Sequence, residues 1–436
     1  MKTIKNQINT SYTEPASLGE HIGETVMLAG VIHKIRTMSG FAFVILRTRG
    51  SFLQCVCDLP MEILTEGASV RLTGTVLEEP RSKTGYEVRI ESIAILSLPA
   101  EELPVVVNNK EVNASLSTLL DYRPLTLRNE KEMAIFKVQS ELCKGIRGFL
   151  DGHGFVEIHT PKIVSGSAEG GANVFGLDYF GKPAFLAQSP QFYKQTMVGV
   201  FERVYEIAPV FRAEKHHTAR HINEYTSVDL EMGFLQSFEE LMVLETAMLT
   251  EAFAHVKEVC EKELAFLQAV VPAVTEIPAI PFGEAKEWVS RIYNRPITDE
   301  EDFEPEEEKL LYELAKKETG SELVFVTHYK TAKRPFYTME TPGNPEVTES
   351  FDLLFRGMEV TTGGQRIHDY RSQVEKMQRL GMEVAAFESY LMAHKYGLPP
   401  HGGLGIGLER LTSKLLGFEN VRWAALFPRD TERLTP

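Results

Sequence analysis

The densest group of chemistry-bearing residues is FRAEKHHTARHINEY, residues 211–225, set between two runs with strand character. Arg212, Arg220 and His221 beside Glu214 make a cationic hairpin with one carboxylate, a set that suits phosphate or carboxylate oxygens. Strand arginines also pair commonly with neighbouring acids, so the group alone names no ligand. His217 and His221 stand four apart, as two metal ligands on one helix face would. That reading needs a helical pattern and a third ligand, and the segment supplies neither.

Three further groups carry polar side chains on small-residue backbones. In GGLGIGLERL, residues 402–411, the glycines, Gly407 among them, allow close approach of backbone to a ligand before a helix that carries Arg410. The Lys-Ser/Thr of a P-loop is missing there. FDLLFRGMEVTTGGQR, residues 351–366, reads as one strand-like run over 352–362, with Asp352 and Glu359 near its opposite ends and Thr362 and Arg366 beyond. Acid and hydroxyl oxygens beside a Gly-Gly turn suit Mg²⁺, or are strand-end polar residues. Glu169 lies on the loop SGSAEGGANVF, 165–175, and Gln191 and Lys194 share one face of a helical turn in LAQSPQFYKQ, 186–195. Together the groups offer arginines for phosphates, carboxylates for Mg²⁺ and a small polar pocket.

Elements that would position these groups can be read from periodicity. Residues 25–97 contain five short β-branched and aromatic runs broken by Gly and Pro, which predicts a small closed barrel of the oligonucleotide-binding (OB) type. Cys55 and Cys57 alternate within it and should share one strand face. The Pro- and acid-containing stretch 98–115 reads as a linker. Met133, Phe136, Leu142, Ile146 and Phe149 recur at helical spacing. Ser237 and Glu240 form a capping-box signature for a helix of about six turns. Strand-like runs at 203–211, 225–232, 323–329 and 352–362 alternate irregularly with helical runs at 237–260, 307–318, 372–380 and 384–396. The fold class is therefore α+β with a mostly antiparallel sheet. The divisions expected are a barrel domain at 1–97, a linker or hinge at 98–128 and a catalytic domain at 129–436.

The chain has 436 residues and a formal charge of −15, from 46 basic and 61 acidic side chains. Residues 1–100 are neutral, with 10 of each sign, so the whole deficit lies beyond them. Eight acids fall between Asp299 and Glu308; they read as a solvated loop and helix start complementing the helix dipole, without a catalytic role. A uniformly basic nucleic-acid binder is excluded, but a local basic patch, Lys34, Arg36, Arg47 and Arg49 in the barrel, is not. Four scattered cysteines make no disulfide framework or Cys₄ zinc site. The N-terminus lacks the apolar core of a signal peptide and no window is suited to a membrane span, so a cytoplasmic protein is expected.

In their order, GFVEIHTPKI (154–163), VYEIAPVFRAE with RHINEYTSVDLEM (204–232) and GGLGIGLERL (402–411) resemble motifs 1, 2 and 3 of class II aminoacyl-tRNA synthetases. Within that class the chain is similar to the aspartyl-tRNA synthetases of archaeal and eukaryotic type, through LAQSPQFYKQ, FRAE, GGQR, YGLPPHGGLGIGLERL and the ending LFPRDTERLTP. The resemblance runs from about residue 17 to the end. It implies an OB barrel for the tRNA anticodon, a class II catalytic domain, ATP and L-aspartate as substrates, Mg²⁺, tRNA(Asp) as partner and a homodimer through motif 1.

Residue by residue, the resemblance implies that Arg212 bridges the aspartate α-carboxylate and the α-phosphate, with Glu214 at the adenine. Arg220 and His221 would reach the outer phosphates, and Tyr225, where the family usually has Phe, would stack on adenine against Arg410, which also meets the γ-phosphate. Glu359 and Thr362 match the Mg²⁺ ligands, with Asp352 a further participant; the family more often has Ser at 362. Lys194 and Arg366 match the cations gripping the aspartate side chain, and Glu169 and Gln191 the surroundings of its ammonium group. In the barrel, Phe43, Gln54 and Glu87 match anticodon-reading positions, although Phe43 read alone would be barrel core. Val31 stands where discriminating archaeal enzymes often carry Trp, which implies charging of tRNA(Asn) as well. The alternatives are an asparaginyl-tRNA synthetase, against which Lys194 counts, an inactive synthetase-like RNA-binding protein and a tRNA-independent amide ligase.

Overall fold

The computed structural model describes residues 12–49, 51–58, 64–166 and 173–436, and the chain forms two compact units, 1–133 and 134–436. In the first unit, strands β1 (Thr25–Thr37), β2 (Ala42–Thr48), β3 (Ser51–Cys57), β4 (Ser69–Glu78) and β5 (Tyr86–Ser97) close in the order β1-β2-β3-β5-β4. The barrel expectation holds. Its core follows from strict alternation: Ala42, Val44 and Leu46 of β2 and Leu53, Cys55 and Cys57 of β3 point inward and are buried. Phe43 falls on the opposite parity and lies on the half-buried outer face, not in the core. Residues 98–115 carry no regular element, as their composition predicts. They are nonetheless fixed, because the Asn129 side-chain amide donates to Val107 O at 2.9 Å and Asn109 O at 2.8 Å. Two short helices, α1 (Leu116–Asp121) and α2 (Arg123–Thr126), follow.

The division between the units falls within α3 (Glu130–Gly152), and β6 (Val156–Glu157) follows it. Then come β7 (Ile163–Val164), β8 (Gly176–Tyr179) and β9 (Lys182–Leu186), which form a small sheet of their own. Helix α4 (Gln191–Phe201), the hairpin β10 (Arg203–Phe211) and β11 (Glu224–Gly233), α5 (Glu239–Val259) and α6 (Glu261–Leu267) follow. Next are β12 (Ala279–Pro281), α7 (Phe282–Tyr293), α8 (Pro305–Thr319), β13 (Leu323–Thr327) and the hairpin β14 (Glu340–Thr341) and β15 (Asn344–Thr348). The chain ends through β16 (Ser350–Phe355), β17 (Met358–Gln365), α9 (Tyr370–Arg379), α10 (Glu388–Tyr396), β18 (His401–Gly407) and α11 (Leu408–Leu415). Eight strands make one sheet in the order β12-β13-β16-β17-β18-β11-β10-β6, parallel only at its two outermost pairs, β12–β13 and β6–β10.

One face of this sheet is apolar because alternation sends Val228, Leu230, Leu404, Ile406, Phe351, Leu353 and Phe355 the same way, onto α3 and α5. The helical spacing on α3 is confirmed by its buried Leu142, Ile146 and Phe149. Three expectations need correction. Residues 352–362 are not one run: Arg356 and Gly357 both have positive φ (47° and 73°), so β16 turns back on itself into β17. The Ser237–Glu240 capping box does not form. Instead Phe238 caps α5 without a side-chain bond, and Glu240 reaches one residue further back to accept from Gln236 N. A true capping box opens α8, with Glu304 and Glu307 bonded reciprocally. The acidic run there is only partly solvated, since Glu307 and Glu308 are buried.

Candidate active site

A pocket of about 720 Å³ opens on the polar face of the sheet, above β17, β18 and β11. The glycines of β18 make room for it. Leu404 and Ile406 point to the core, so Gly403, Gly405 and Gly407 take the opposite face with no side chains, and Gly405 and Gly407 line the pocket. A Cβ at Gly403 would lie 2.1 Å from both Leu230 O and a Glu231 carboxylate oxygen. On β11 the same parity turns Ser227, Asp229 and Glu231 toward the glycines, and all three are buried. Lys194, on the first turn of α4, reaches between them: its Nζ is 2.8 Å from Asp229 Oδ1, 3.4 Å from Glu231 Oε2 and 2.9 Å from Leu404 O. Arg366 donates from Nε to Glu231 Oε1 at 3.0 Å and from Nη2 to Gly403 O at 2.9 Å. Gln191, one helical turn before Lys194, is buried with Nε2 lacking a partner among the described residues.

Glu359 and Thr362 are three apart on a strand and would ordinarily face opposite sides. The β16–β17 register slips between Leu353, paired with Thr361, and Leu354, paired with Glu359, leaving Val360 as an extra residue. That bulge turns both side chains into the pocket, where Thr362 Oγ1 donates to Glu359 Oε1 at 3.1 Å. Asp352 pairs across with Thr362, so the hairpin brings it beside them and not to the far end of a run. Burial pushes the Glu359 carboxyl up, but Arg410, Arg334 and Arg212 outweigh it and leave its pKa below the ordinary carboxylate value. For Asp352 burial wins, raising it to about 6 despite Arg334 at 2.8 Å. Arg334 in turn lies 4.0 Å over the Tyr329 ring.

The β10–β11 loop brings its cations over the same pocket. Arg212 and Asn223 close its neck, with Arg212 N donating to Asn223 O at 2.8 Å and Asn223 Nδ2 to Arg212 O at 2.7 Å. The C-terminal segment clamps the tip: Val421 N donates to Ala219 O at 2.9 Å, and Arg422 donates to Thr218 O at 2.7 Å while bonding Asp430. Arg212 stands 3.8 Å from Glu214 and 5.8 Å over the Tyr225 ring. Arg410, from α11, donates to Glu359 O at 3.1 Å and Arg220 O at 3.3 Å. Burial and the Arg410 charge lower the His221 pKa to about 4, leaving its imidazole neutral. Arg220 bonds Glu308 of α8, whose carboxyl is pushed up to about 7 by burial against the Arg220 charge.

The structure therefore gathers Gln191, Lys194, Arg212, Glu214, Arg220, His221, Tyr225, Asp352, Glu359, Thr362, Arg366, Gly407 and Arg410 around one pocket. Glu169 lies outside the described residues. In the barrel, Phe43, Gln54 and Glu87 share the outer face, and Gln54 Nε2 donates to Glu87 Oε2 at 2.9 Å. Among the basic residues there, Arg49 is paired with Glu14, and Lys34 with Asn109 Oδ1 at 3.2 Å. Four site residues were missed. Asp229 and Glu231 were readable from the alternation of SVDLEM, which sends acids opposite to Val228 and Leu230. Arg334 carries no local signal, and Glu308 was hidden in an acidic run. No group of three or more His, Cys, Asp or Glu side chains is arranged to hold a metal among the described residues.

Residues 115–431 match the class II tRNA synthetases of the D, K and N type, and residues 26–96 match the OB-fold nucleic-acid-binding domain. This chain belongs to the class II tRNA synthetases. Aspartate–tRNA(Asp/Asn) ligase of Deinococcus radiodurans is 47% identical over 425 residues, covering 96% of this chain and 97% of that protein. Aspartate–tRNA(Asp) ligase of Pyrococcus abyssi is 40% identical and covers 95% and 97%. Among solved structures, asparaginyl-tRNA synthetase of Pyrococcus horikoshii complexed with asparaginyl-adenylate superposes with a TM-score of 0.89 at 30% identity, covering 99% of this chain and all of that one. As a class II synthetase with an OB barrel, the chain has the α+β architecture its sequence implies. No helix among the described residues is long and apolar enough to cross a membrane.

Proposed function

We propose that this synthetase joins L-aspartate to tRNA(Asp), and to tRNA(Asn), in two steps through an aspartyl-adenylate. The observation that carries the reading is Lys194 and Arg366 side by side in a buried pocket. Both cations are also held by the internal carboxylates Asp229 and Glu231, and they offer a ligand side chain only donors. A carboxylate accepts on both oxygens, whereas an amide would turn its NH₂ donor toward one of them, which is what weighs against the asparaginyl alternative despite the shared fold. In the first step the aspartate α-carboxylate attacks the α-phosphorus of ATP and pyrophosphate leaves. An anionic nucleophile needs no general base, so positioning and charge neutralisation do the catalysis. Arg212 holds the two reacting groups, Glu214 and Tyr225 take the adenine, and Arg220, His221 and Arg410 take the outer phosphates. A neutral His221 serves as a hydrogen-bond donor.

Mg²⁺ fits the oxygen set Glu359, Thr362 and Asp352, because Mg²⁺ is commonly bound by one or two carboxylates together with substrate phosphates. Glu359 is the better prepared ligand, since its pKa is held down while that of Asp352 is raised to about 6. When bound, the ion would neutralise phosphate charge. In the division of labour, residues 1–97 read the anticodon through Phe43, Gln54 and Glu87, residues 98–128 link, and residues 129–436 perform the chemistry. A cytoplasmic homodimer goes with this reading, and Val156 and Ile163, in the segment matched to motif 1, leave apolar surface exposed for a second copy.

ATP–pyrophosphate exchange with aspartate and asparagine in parallel, followed by charging of both tRNAs, tests it. Exchange should depend on aspartate. Exchange with asparagine alone would install the asparaginyl alternative, and none with either would end the enzyme reading. Charging of tRNA(Asn) at less than about a hundredth of the tRNA(Asp) rate would remove the second tRNA substrate.

A further inference from the structure

We propose that Glu308, from the acidic run on α8, is a positioning residue that holds Arg220 ready for the outer phosphates of ATP. This rests on the reading of Arg220 given above and assigns a role to a residue outside all three motifs. The Glu308 carboxylate takes the Arg220 Nη2 and also accepts from Glu359 N at 3.3 Å. It is thus tied on one side to the loop carrying the phosphate cations and on the other to the strand carrying the candidate Mg²⁺ ligand.

Arg220 uses only its Nη2 in this contact. Its Nε is buried without a partner among the described residues, although the side chain lines the pocket. An arginine on a loop otherwise loses side-chain freedom when it captures a ligand, and holding it beforehand lowers that cost. Glu308 is suited to the task because its own mounting is rigid. Pro305 and the Glu304–Glu307 capping box fix the start of α8. Lys286 Nζ contacts Glu307 Oε2 at 2.7 Å and Asp302 O at 2.8 Å, with both side chains of that pair buried. Leu311, Leu314 and Ala315 then pack on Phe282, Val289 and Leu354. The buried acids of this run anchor a helix whose first turn presents one carboxylate to the site.

The test is a double-mutant cycle on the full chain, read by ATP–pyrophosphate exchange. Glu308→Ala should raise the KM for ATP about tenfold and leave the KM for aspartate within about twofold. Arg220→Ala should raise the KM for ATP at least as much, and adding Glu308→Ala to it should change nothing further. Glu308→Gln, which keeps volume and one acceptor, should raise the KM for ATP about threefold and carries the test if the alanine variant does not fold. If Arg220→Ala leaves the KM for ATP unchanged, the phosphate reading of Arg220 fails. If Arg220→Ala raises it while the Glu308 variants do not, lower it, or multiply the Arg220→Ala effect, the positioning role is overturned and the phosphate reading stands.

Discussion

Arg366 donates from Nε to Glu231 Oε1 at 3.0 Å, and both side chains are buried. Glu231 also stands 3.4 Å from Lys194, whose nearer partner is Asp229 at 2.8 Å. The cations proposed to recognise the ligand are thus held by internal carboxylates, and an incoming side chain meets two cations already fixed in place. Lys194→Met keeps the length of the side chain and removes its charge. It should reduce aspartate-dependent exchange by about 10²-fold or more, because the ligand carboxylate loses a charged partner in a desolvated pocket. It should also cost about 3–5 kcal/mol of stability, since Asp229 stays buried without its ion pair. Exchange kinetics and thermal unfolding measure the two effects separately. An active variant as stable as the parent would contradict both.

Arg410 touches the backbone of both neighbouring groups, Glu359 and Arg220, and stands 3.6 Å from the Glu359 carboxylate. Arg410→Ala should lower adenylate formation by roughly 10²-fold while the fold persists, because a fixed cation placed where phosphate charge develops is lost. Wild-type exchange by a folded variant would refute a catalytic role.

A third prediction concerns pH. Glu245, on α5 behind the sheet, is fully buried and accepts from Thr361 Oγ1 at 2.6 Å, and burial raises its pKa from 4.5 to about 8. The folded state therefore keeps a proton that the unfolded chain releases. Stability linked to this group is fully present below about 4.5 and is lost as pH rises toward about 8. Glu245→Gln retains the acceptor for Thr361 and cannot ionise. It should leave the melting temperature unchanged near pH 5 and raise it near pH 8, with a difference on the order of a few kcal/mol. Melting curves at the two pH values, compared between parent and variant, decide it. Equal shifts at both would mean that the parent holds Glu245 charged in its folded state.

How far these features could be read from the chain depended on whether local pattern or distant packing set them. The barrel strands and the inward placement of Cys55 and Cys57 follow from period-two alternation, which is local. The β16–β17 turn was also local, in Arg356-Gly357, but an arginine with positive φ is rare enough that the run 352–362 read as continuous. The bulge at Val360 left no signal in residue types, yet it decides that Glu359 and Thr362 face the same way. Glu308 was misread for another reason. In sequence its carboxylate resembles seven others between 299 and 308, and only the packing of α8 separates a buried partner of Arg220 from solvated neighbours such as Glu300 and Glu301.

The barrel supplies the last prediction. Phe43 is off the core parity on β2, and Gln54 and Glu87 are hydrogen-bonded to one another on the same outer face, with Gln54 opposite Ile45 in the β2–β3 ladder. An aromatic ring on the outside of a barrel, near side chains with hydrogen-bonding edges, can stack on an unpaired base without disturbing the core. Phe43→Ala should therefore lower kcat/KM for tRNA aspartylation by about 10- to 100-fold through loss of stacking. ATP–pyrophosphate exchange without tRNA should be untouched, because that reaction needs neither the anticodon nor the barrel. The two assays on one preparation separate the outcomes. A loss in both would make Phe43 a stability residue, whereas full charging activity would remove it from the anticodon site.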